Sequence, residues 1–330
     1  MEKRIKMSVK KELLKILEKN REKDLSGQEL ADRLMVSRTA IWKAMKELRE
    51  EGYRIEAVNN RGYRLAGETD ILSEEGIRLE LTNNAVKEVA VFRTIDSTNL
   101  EVKRRALQGE KEGLVVISES QTAGRGRLGR SFYSPLGTGI YFSILLEPKL
   151  NATDAILLTT AASVAVARGI RKVTDLEPSI KWVNDVYLGD KKVCGILTEA
   201  MTDFENSSIQ YIVVGIGINY KEPPEGFPEE VKDIAGALVD GKEKIPRNRL
   251  VAAVLDEFFA IYKELPDRHF MDDYRRWSNV LNQDVKYLEK DIWHFAKAIG
   301  IDDDGGLIVR NKDGKEKVLK TGEITLRRLE

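Results

Sequence analysis

The sequence predicts an α+β, multidomain chain: a winged helix-turn-helix at the front, a central mixed-sheet α/β domain, and a small β-barrel at the end. Three observations predict it. Helical apolar spacing over residues 8–50 gives way to a basic-tipped hairpin, β-type runs alternate with helical stretches from 89 to 262, and short apolar runs between Asp-Gly turns close the chain. The 330 residues suit two or three domains at roughly 150 residues each.

At the front, Ser8 is placed to cap a helix whose apolar face is Val9, Leu13, Ile16 and Leu17. Ser26 and Glu29 spell a capping box before Leu30, Ala31 and Leu34. Met35 and Val36 make a tight turn, and Ser37 caps a third helix with Ile41, Met45 and Leu48 as its buried stripe. Off that stripe lie Arg38, Thr39, Trp42, Lys43 and Lys46, which with Ser37 are the groups a recognition helix turns toward a major groove; a plain solvated face would carry the same residues. Tyr53, Ile55 and Ala57 alternate with Arg54 and Glu56, Asn59-Asn60-Arg61-Gly62 forms a tip, and Tyr63-Arg64-Leu65 returns, which is a wing with Arg61 at its end. Residues 1–65 hold 17 Lys/Arg against 11 Asp/Glu in a chain balanced at 54 of each, so a basic head sits on an acidic body. The segment is expected to bind DNA, the other use of such a fold being a docking module. The polar run Ala66–Asp70 has no apolar period, and a domain boundary is expected after residue 66.

In the central region Val89, Val91 and Phe92 lead into Asp96-Ser97-Thr98-Asn99, which opens a helix to Leu107. Hydroxyls and free N–H groups at that helix start can grip a polar head group, or serve as plain N-caps. Strands at Leu114–Glu119 and Ile140–Leu146 bracket QTAGRGRLGRSFYSP, residues 121–135. There Gly124, Gly126 and Gly129 alternate with Arg125, Arg127 and Arg130, pairing a permissive backbone with fixed cations, and this predicts an ordered anion-binding loop instead of a disordered Arg-Gly tail. Asp154–Gly169 reads as a buried helix. Asp185–Leu188 and Lys192–Thr198 form a hairpin, in which Lys192 either finds an anion near the core or snorkels at a sheet edge. The strand Ile209–Ile218 ends in GIGIN, where Gly215 and Gly217 allow a close approach to the backbone. GALVDGKE at 236–243 has phosphate-loop spacing, but Glu243 stands at the required Ser/Thr, and GIGIN lacks the third glycine of a dinucleotide fingerprint; both are set aside. Leu250–Tyr262 reads as an amphipathic helix, and Val285–Leu288, Ile292–Ile299, Leu307–Val309 and Lys317–Leu319 as the closing β module.

Composition excludes other chemistries. One cysteine, Cys194, and two histidines, His269 and His294, leave no disulfide and no cysteine-rich zinc site, and no nucleophile motif accompanies them. No apolar run approaches the roughly 18 residues of a membrane span, and the charged start MEKRIKMSVKKELLK has no signal-peptide core, so a cytoplasmic protein without membrane partners is expected.

With QTAGRGRLGR, KWVND, KKVCGIL and GIGIN in that order behind a winged helix and before GEITLR, the chain resembles the bifunctional biotin-protein ligase and biotin operon repressor family over nearly all its length. The resemblance implies a class II aminoacyl-tRNA synthetase-like catalytic domain over 67–275 and an SH3-like domain over 276–330. It implies that biotin and MgATP form biotinyl-5'-AMP and pyrophosphate. A lysine of a biotin carboxyl carrier protein, of acetyl-CoA carboxylase or a similar carboxylase, then takes the biotinyl group. Biotinyl-5'-AMP also acts as co-repressor, promoting a homodimer that binds the biotin operator. By matching motif, Ser97, Thr98, Asn99, Gln121, Gly124, Arg125, Gly126, Arg127, Lys192 and Gly195 would line the biotin site. Arg125, Arg127, Asn184, Asp185, Lys192, Gly217 and Asn219 would face the nucleotide, with Lys192 and Arg127 as the catalytic cations. No dedicated metal site is implied; Mg2+ arrives with ATP, Asp185 being its one candidate ligand. Val183 stands where the family usually has Pro and Phe132 where a Trp is common, departures expected to retune affinity. Two other readings stay open: a transcription factor that senses a small acid without catalysis, and ligation of another acid such as lipoate.

Overall fold

The computed structural model describes residues 8–59, 61–67, 69–148, 155–202, 209–240, 245–289, 292–320 and 324–326. Asn60 of the expected wing tip, Glu68 of the polar break, Asp154 of the expected helix start, Gly241–Glu243 of the rejected phosphate loop and Gly322, Glu323 and Arg327 of the GEITLR ending lie outside these residues. The chain divides into two compact units, Met1–Leu81 with Pro246–Ala252, and Thr82–Ile245 with Ala253–Glu330.

The first unit holds α1 (Val9–Lys19), α2 (Gly27–Leu34), α3 (Arg38–Glu50), β1 (Ile55–Val58), β2 (Gly62–Leu65) and α4 (Glu74–Glu80). Leu13, Leu17, Leu30, Ile41, Met45, Leu48 and Leu65 form its core, each at most 1% exposed. Removing each such side chain from water stabilises the unit by about 1.5–3 kcal/mol before entropy opposes it. Ser26 Oγ accepts the Glu29 N–H at 3.0 Å and Ser37 Oγ accepts the Ala40 N–H at 3.2 Å, as expected. Two details differ. Ser8 sits at the start of α1 without a side-chain cap bond, and the Glu29 carboxylate pairs with Arg33 at 2.6 Å instead of reaching back to Ser26. Met35 turns the chain between α2 and α3 in the left-handed region, φ 53°. Beyond the polar break, Asp70 accepts from the Arg247 backbone and guanidinium, and Asn248 bonds Ser73 and Ile71, so the unit runs past residue 66 to Leu81.

The second unit is organised by a seven-stranded mixed sheet in the order β3-β4-β5-β9-β8-β7-β6. These strands are β3 (Glu88–Phe92), β4 (Leu114–Ser118), β5 (Gly139–Leu146), β6 (Ser179–Lys181), β7 (Asp185–Leu188), β8 (Lys191–Thr202) and β9 (Ile209–Asn219). Only the β3–β4 pair is parallel, joined through α5 (Thr98–Leu107); the other neighbours are antiparallel. Every residue of β4 and β5 is buried, so both faces of the sheet are covered, and the alternating pattern of a half-wet sheet is missing. The buried, Ala-rich α6 (Ala155–Val173) packs on β8 and β9, and α8 (Phe270–Arg276) packs on α6; α7 (Arg247–Lys263) begins in the first unit and belongs to the second from Ala253 onward. A second sheet, antiparallel throughout, has five strands: β10 (Asp284–Glu289), β11 (Ile292–Ile301), β12 (Leu307–Arg310), β13 (Glu316–Leu319) and β14 (Ile324–Leu326), in the order β13-β12-β11-β10-β14. Trp182 Nε1 donates to the Gly305 carbonyl of the turn between β11 and β12 at 2.8 Å, and Arg275 Nε of α8 donates to the Ile301 carbonyl at 2.9 Å, which tie this sheet to the first; Tyr274 Oη of α8 donates to the Val183 carbonyl at 3.2 Å. The Trp182–Val183 peptide is cis.

Candidate active site

Three stretches far apart in sequence are sewn together at one end of the seven-stranded sheet. The Ser97–Asn99 turn starts α5 on the crossover between the parallel strands, and Thr122 N–H and Ala123 N–H donate to the Ile95 and Asp96 carbonyls at 2.9 and 2.8 Å. The arginine loop thereby begins beside that turn. It is itself closed as a narrow hairpin: Gln121 N–H bonds Ser134 O at 3.0 Å, Phe132 N–H bonds Gly124 O at 2.9 Å and Gly126 N–H bonds Arg130 O at 2.7 Å. Leu128 and Gly129, at φ 55° and 75°, turn its tip. The third stretch is the β7–β8 hairpin carrying Asn184, Asp185 and Lys192.

Between them lies a cleft lined by Ser97, Thr98, Asn99, Gln121, Arg125, Gly126, Arg127, Asn184, Lys192, Gly195 and Gly217 among the expected residues. Gly124, Asp185 and Asn219 are expected site residues that do not line it. Each stands directly behind the wall. A Cβ on Gly124 would come 2.3 Å from Phe132 O, so glycine there lets the loop strands close up. Asp185 Oδ1 lies 2.7 Å from Lys192 Nζ, and Asn219 Nδ2 donates to the Lys192 carbonyl at 3.4 Å. Lys192 thus has an anion partner, as the near-core placement of its amine demands.

Three cations line the cleft, Arg125, Arg127 and Lys192. Arg127 Nη1 donates to Asn184 Oδ1 at 2.9 Å, and the same Asn184 gives its Nδ2 to Asp185 and to the Ile196 carbonyl, both at 3.0 Å. Arg125 reaches Glu199 at 3.6 Å. Neutral polar groups line it too: Gln121 Oε1 accepts the Thr98 N–H at 2.9 Å, and Gln121 Nε2 donates to Ser134 Oγ at 3.0 Å. A cleft lined by guanidinium and ammonium groups together with uncharged hydrogen-bonding groups suits a ligand that carries an anionic group as well as neutral polar atoms.

Ile196, Leu197 and Ile216 also line the cleft and were not singled out in the sequence, while Gly215 and Phe132, which were noted there, were not assigned to the site. Their signal was the alternation Gly215-Ile-Gly217 opposite Gly195. Gly195 pairs with Gly217 across β8–β9, and a Cβ on Gly217 would come 2.6 Å from the Phe132 ring. The bare backbone is therefore a bed for an aromatic plane, with Tyr141 edge-on to Phe132 at 6.2 Å. Cys194 lies beneath, and burial pushes its thiol above the ordinary range, leaving it no role as a nucleophile. Neither histidine lines the cleft.

In the first unit Ser37, Arg38, Thr39, Trp42, Lys43, Lys46 and Arg61 are all exposed. Trp42 is 53% exposed, unusual for an indole outside an interface. Among the described residues, no group of three or more His, Cys, Asp or Glu could hold a metal ion, and no helix is long and apolar enough to cross a membrane.

The same arrangement recurs in known proteins. Residues 9–64 match the HTH domain family, 91–219 the biotin/lipoate A/B protein ligase family, and 280–327 the biotin protein ligase C-terminal domain. The bifunctional ligase/repressor BirA of Bacillus subtilis is 34% identical over 316 residues, covering 94% of this chain and 97% of that protein. The chain belongs to the bifunctional biotin ligase/repressor family. The Escherichia coli relative of that name is also 34% identical, over 92% of this chain and 94% of its own. A solved biotin protein ligase from Aquifex aeolicus, in complex with biotin and ATP, matches with a TM-score of 0.62 at 30% identity, covering 74% of this chain and all of that one. Family membership accounts for the order of the three modules.

Proposed function

We propose that the second unit is an ATP-dependent biotin-protein ligase and that the first is the DNA-binding part of a biotin-responsive repressor. The observation that carries the ligase reading is the lining of the cleft: Arg125, Arg127 and Lys192 line it together with neutral Ser97, Thr98 and Gln121. In the first step a biotin carboxylate oxygen attacks the α-phosphorus of ATP, the bond to pyrophosphate breaks, and biotinyl-5'-AMP forms. Two anions must approach, so Arg127 and Lys192 act by neutralising charge as it develops. In the second step the ε-amine of a carrier-domain lysine attacks the acyl carbon, an amide forms and AMP leaves. Closure of the 121–135 loop would keep water from the mixed anhydride.

Asn184, Asp185, Gly217 and Asn219 are assigned to the nucleotide side, and Ser97, Thr98, Asn99, Gln121, Gly124, Gly126 and Gly195 to biotin. Mg2+ fits this donor set only as an ion held mostly by phosphate oxygens, since among the described residues assigned to the nucleotide side Asp185 is the single carboxylate and already pairs with Lys192; when bound it would supply charge neutralisation on the phosphates. The acceptor is a carboxylase carrier domain. Ser37, Arg38, Thr39, Trp42, Lys43, Lys46 and Arg61 are assigned to operator DNA, with biotinyl-5'-AMP as co-repressor, a homodimer as the binding species and the cytoplasm as the setting. Biotin is favoured over lipoate because Thr98, Asn99, Gln121 and Ser143 form a hydrogen-bonded cluster that a dithiolane ring cannot use. Incubation with ATP, labelled biotin and a carrier domain tests the reading. Label on the carrier supports it; none, with biotin still bound, leaves a non-catalytic sensor.

A further inference from the structure

Glu199 on β8 is not among the cleft residues, yet its carboxylate is the end of a hydrogen-bonded chain that reaches the cleft. It meets Lys103 Nζ at 2.7 Å, Asn99 Nδ2 at 2.8 Å and Arg125 Nη1 at 3.6 Å. Burial raises its pKa, but the bonds from Asn99 and Lys103 and the charges of Lys103 and Arg125 outweigh burial, so the carboxyl ends below its ordinary value and is ionised at neutral pH. An ionised carboxylate only accepts.

From that one fact the direction of every bond in the chain follows. Asn99 must present its amide nitrogen to Glu199 at 2.8 Å, a charge-assisted bond that outweighs the long 3.4 Å approach of the same nitrogen to Leu197 O. Asn99 Oδ1 therefore faces Ser143 Oγ at 2.6 Å and needs its hydrogen. Ser143 has one hydrogen, now committed. Its 2.8 Å contact with Thr98 Oγ1 must then use the hydrogen of Thr98. Thr98 Oγ1 is left with lone pairs alone. It stands 3.1 Å from Gln121 Oε1, which already takes the Thr98 backbone N–H and has no hydrogen of its own. The participants are 4% exposed or less at Thr98, Asn99 and Ser143, so water cannot cheaply reverse the order.

We propose that Glu199 is a positioning residue that polarises this chain so that Thr98 Oγ1 and Gln121 Oε1 face the cleft as paired acceptors, selecting a ligand that brings an N–H donor to them. The proposal rests on the biotin reading and deepens it: the ureido ring of biotin supplies such N–H groups, whereas a dithiolane or a cyclic carbonate supplies none. Glu199 touches no reacting atom and acts through Asn99 and Ser143.

The test is Glu199→Gln in the full chain. Lys103 and Arg125 can only donate, so the new amide turns its oxygen to them and its nitrogen to Asn99. Asn99 then flips, and the chain reverses until the Thr98 hydrogen points toward Gln121 or the cleft. Calorimetric titration compares biotin with the analogue whose two ureido N–H groups are replaced by ring oxygens. The native chain is expected to prefer biotin by about tenfold to a hundredfold, the cost of leaving buried acceptors without a donor. In Glu199→Gln the preference narrows by about tenfold, KM for biotin rises, and kcat at saturating biotin and KM for ATP stay within about twofold. An unchanged preference in a folded Glu199→Gln protein overturns the proposal. Should that variant fail to fold by its melting curve, Thr98→Val decides instead: retention of the full preference without the Thr98 oxygen refutes the acceptor assignment. If the native chain binds neither compound, the ligase reading itself has failed. If it binds both alike, the ligase reading stands and the polarity argument falls.

Discussion

Replacing Lys192 by alanine separates the catalytic from the structural use of one ammonium. Its Nζ is 2.7 Å from Asp185 Oδ1, with the two side chains 27% and 20% exposed. Water still reaches this pair, so its loss costs about 1 kcal/mol of stability, and Asp185 keeps the Asn184 Nδ2 bond at 3.0 Å. Catalysis should suffer much more. A cation placed where charge develops on a transferring phosphoryl group is worth roughly 3–4 kcal/mol, or about 10²–10³ in rate. Adenylation, followed as pyrophosphate release at saturating biotin and ATP, is expected to fall by that factor while the melting temperature drops only a few degrees. Lys192→Arg retains charge on a planar fork and should recover part of the rate. A fall of less than about fivefold in a folded Lys192→Ala protein would falsify the charge-stabilisation role.

Three further outcomes follow from the geometry. Arg127→Gly removes the 2.9 Å bond to Asn184 that holds the loop to the lysine hairpin, so biotinyl-5'-AMP should leave about tenfold faster in a filter-retention assay; unchanged retention would count against loop closure. Gly217→Ala drives a Cβ to 2.6 Å from the Phe132 ring, so about 1–3 kcal/mol of stability and most nucleotide affinity should go, read by melting and by titration with ATP; full affinity would show the ring free to leave its bed. Arg38→Ala, on an exposed helix face, should weaken operator binding and lower its salt slope by about one, with ligation intact, while a normal operator affinity would exclude that face from the contact.

Local chemistry made much of this protein legible in its sequence. The Arg-Gly alternation between two apolar strands marked the loop, and Lys192 in a run of Val, Cys and Ile announced a partner that proved to be Asp185. Short elements were not legible: α4, α8 and β6 have seven, seven and three residues, too few for a period to stand out. Nor was the extent of the first unit, because Asp70 finds Arg247 across 177 residues of sequence. Glu199 escaped for the same reason. In sequence it is one polar residue at a strand's middle; only the fold brings Asn99 and Lys103, about a hundred positions earlier, onto its carboxylate.

The indole of Trp182 donating to the Gly305 carbonyl makes the five-stranded sheet part of the cleft's own scaffold. Trp182 directly precedes Val183, Asn184 and Asp185, and a Cβ at Gly305 would press on Ile156 and Thr160 of α6 at 2.8 and 3.2 Å. A chain shortened to end after α8 would therefore lose the clasp behind its own nucleotide-side residues. Grafting a foreign acceptor-recognition domain onto this enzyme calls for retaining the Asp302–Gly306 turn, even if every other residue of the terminal sheet is exchanged.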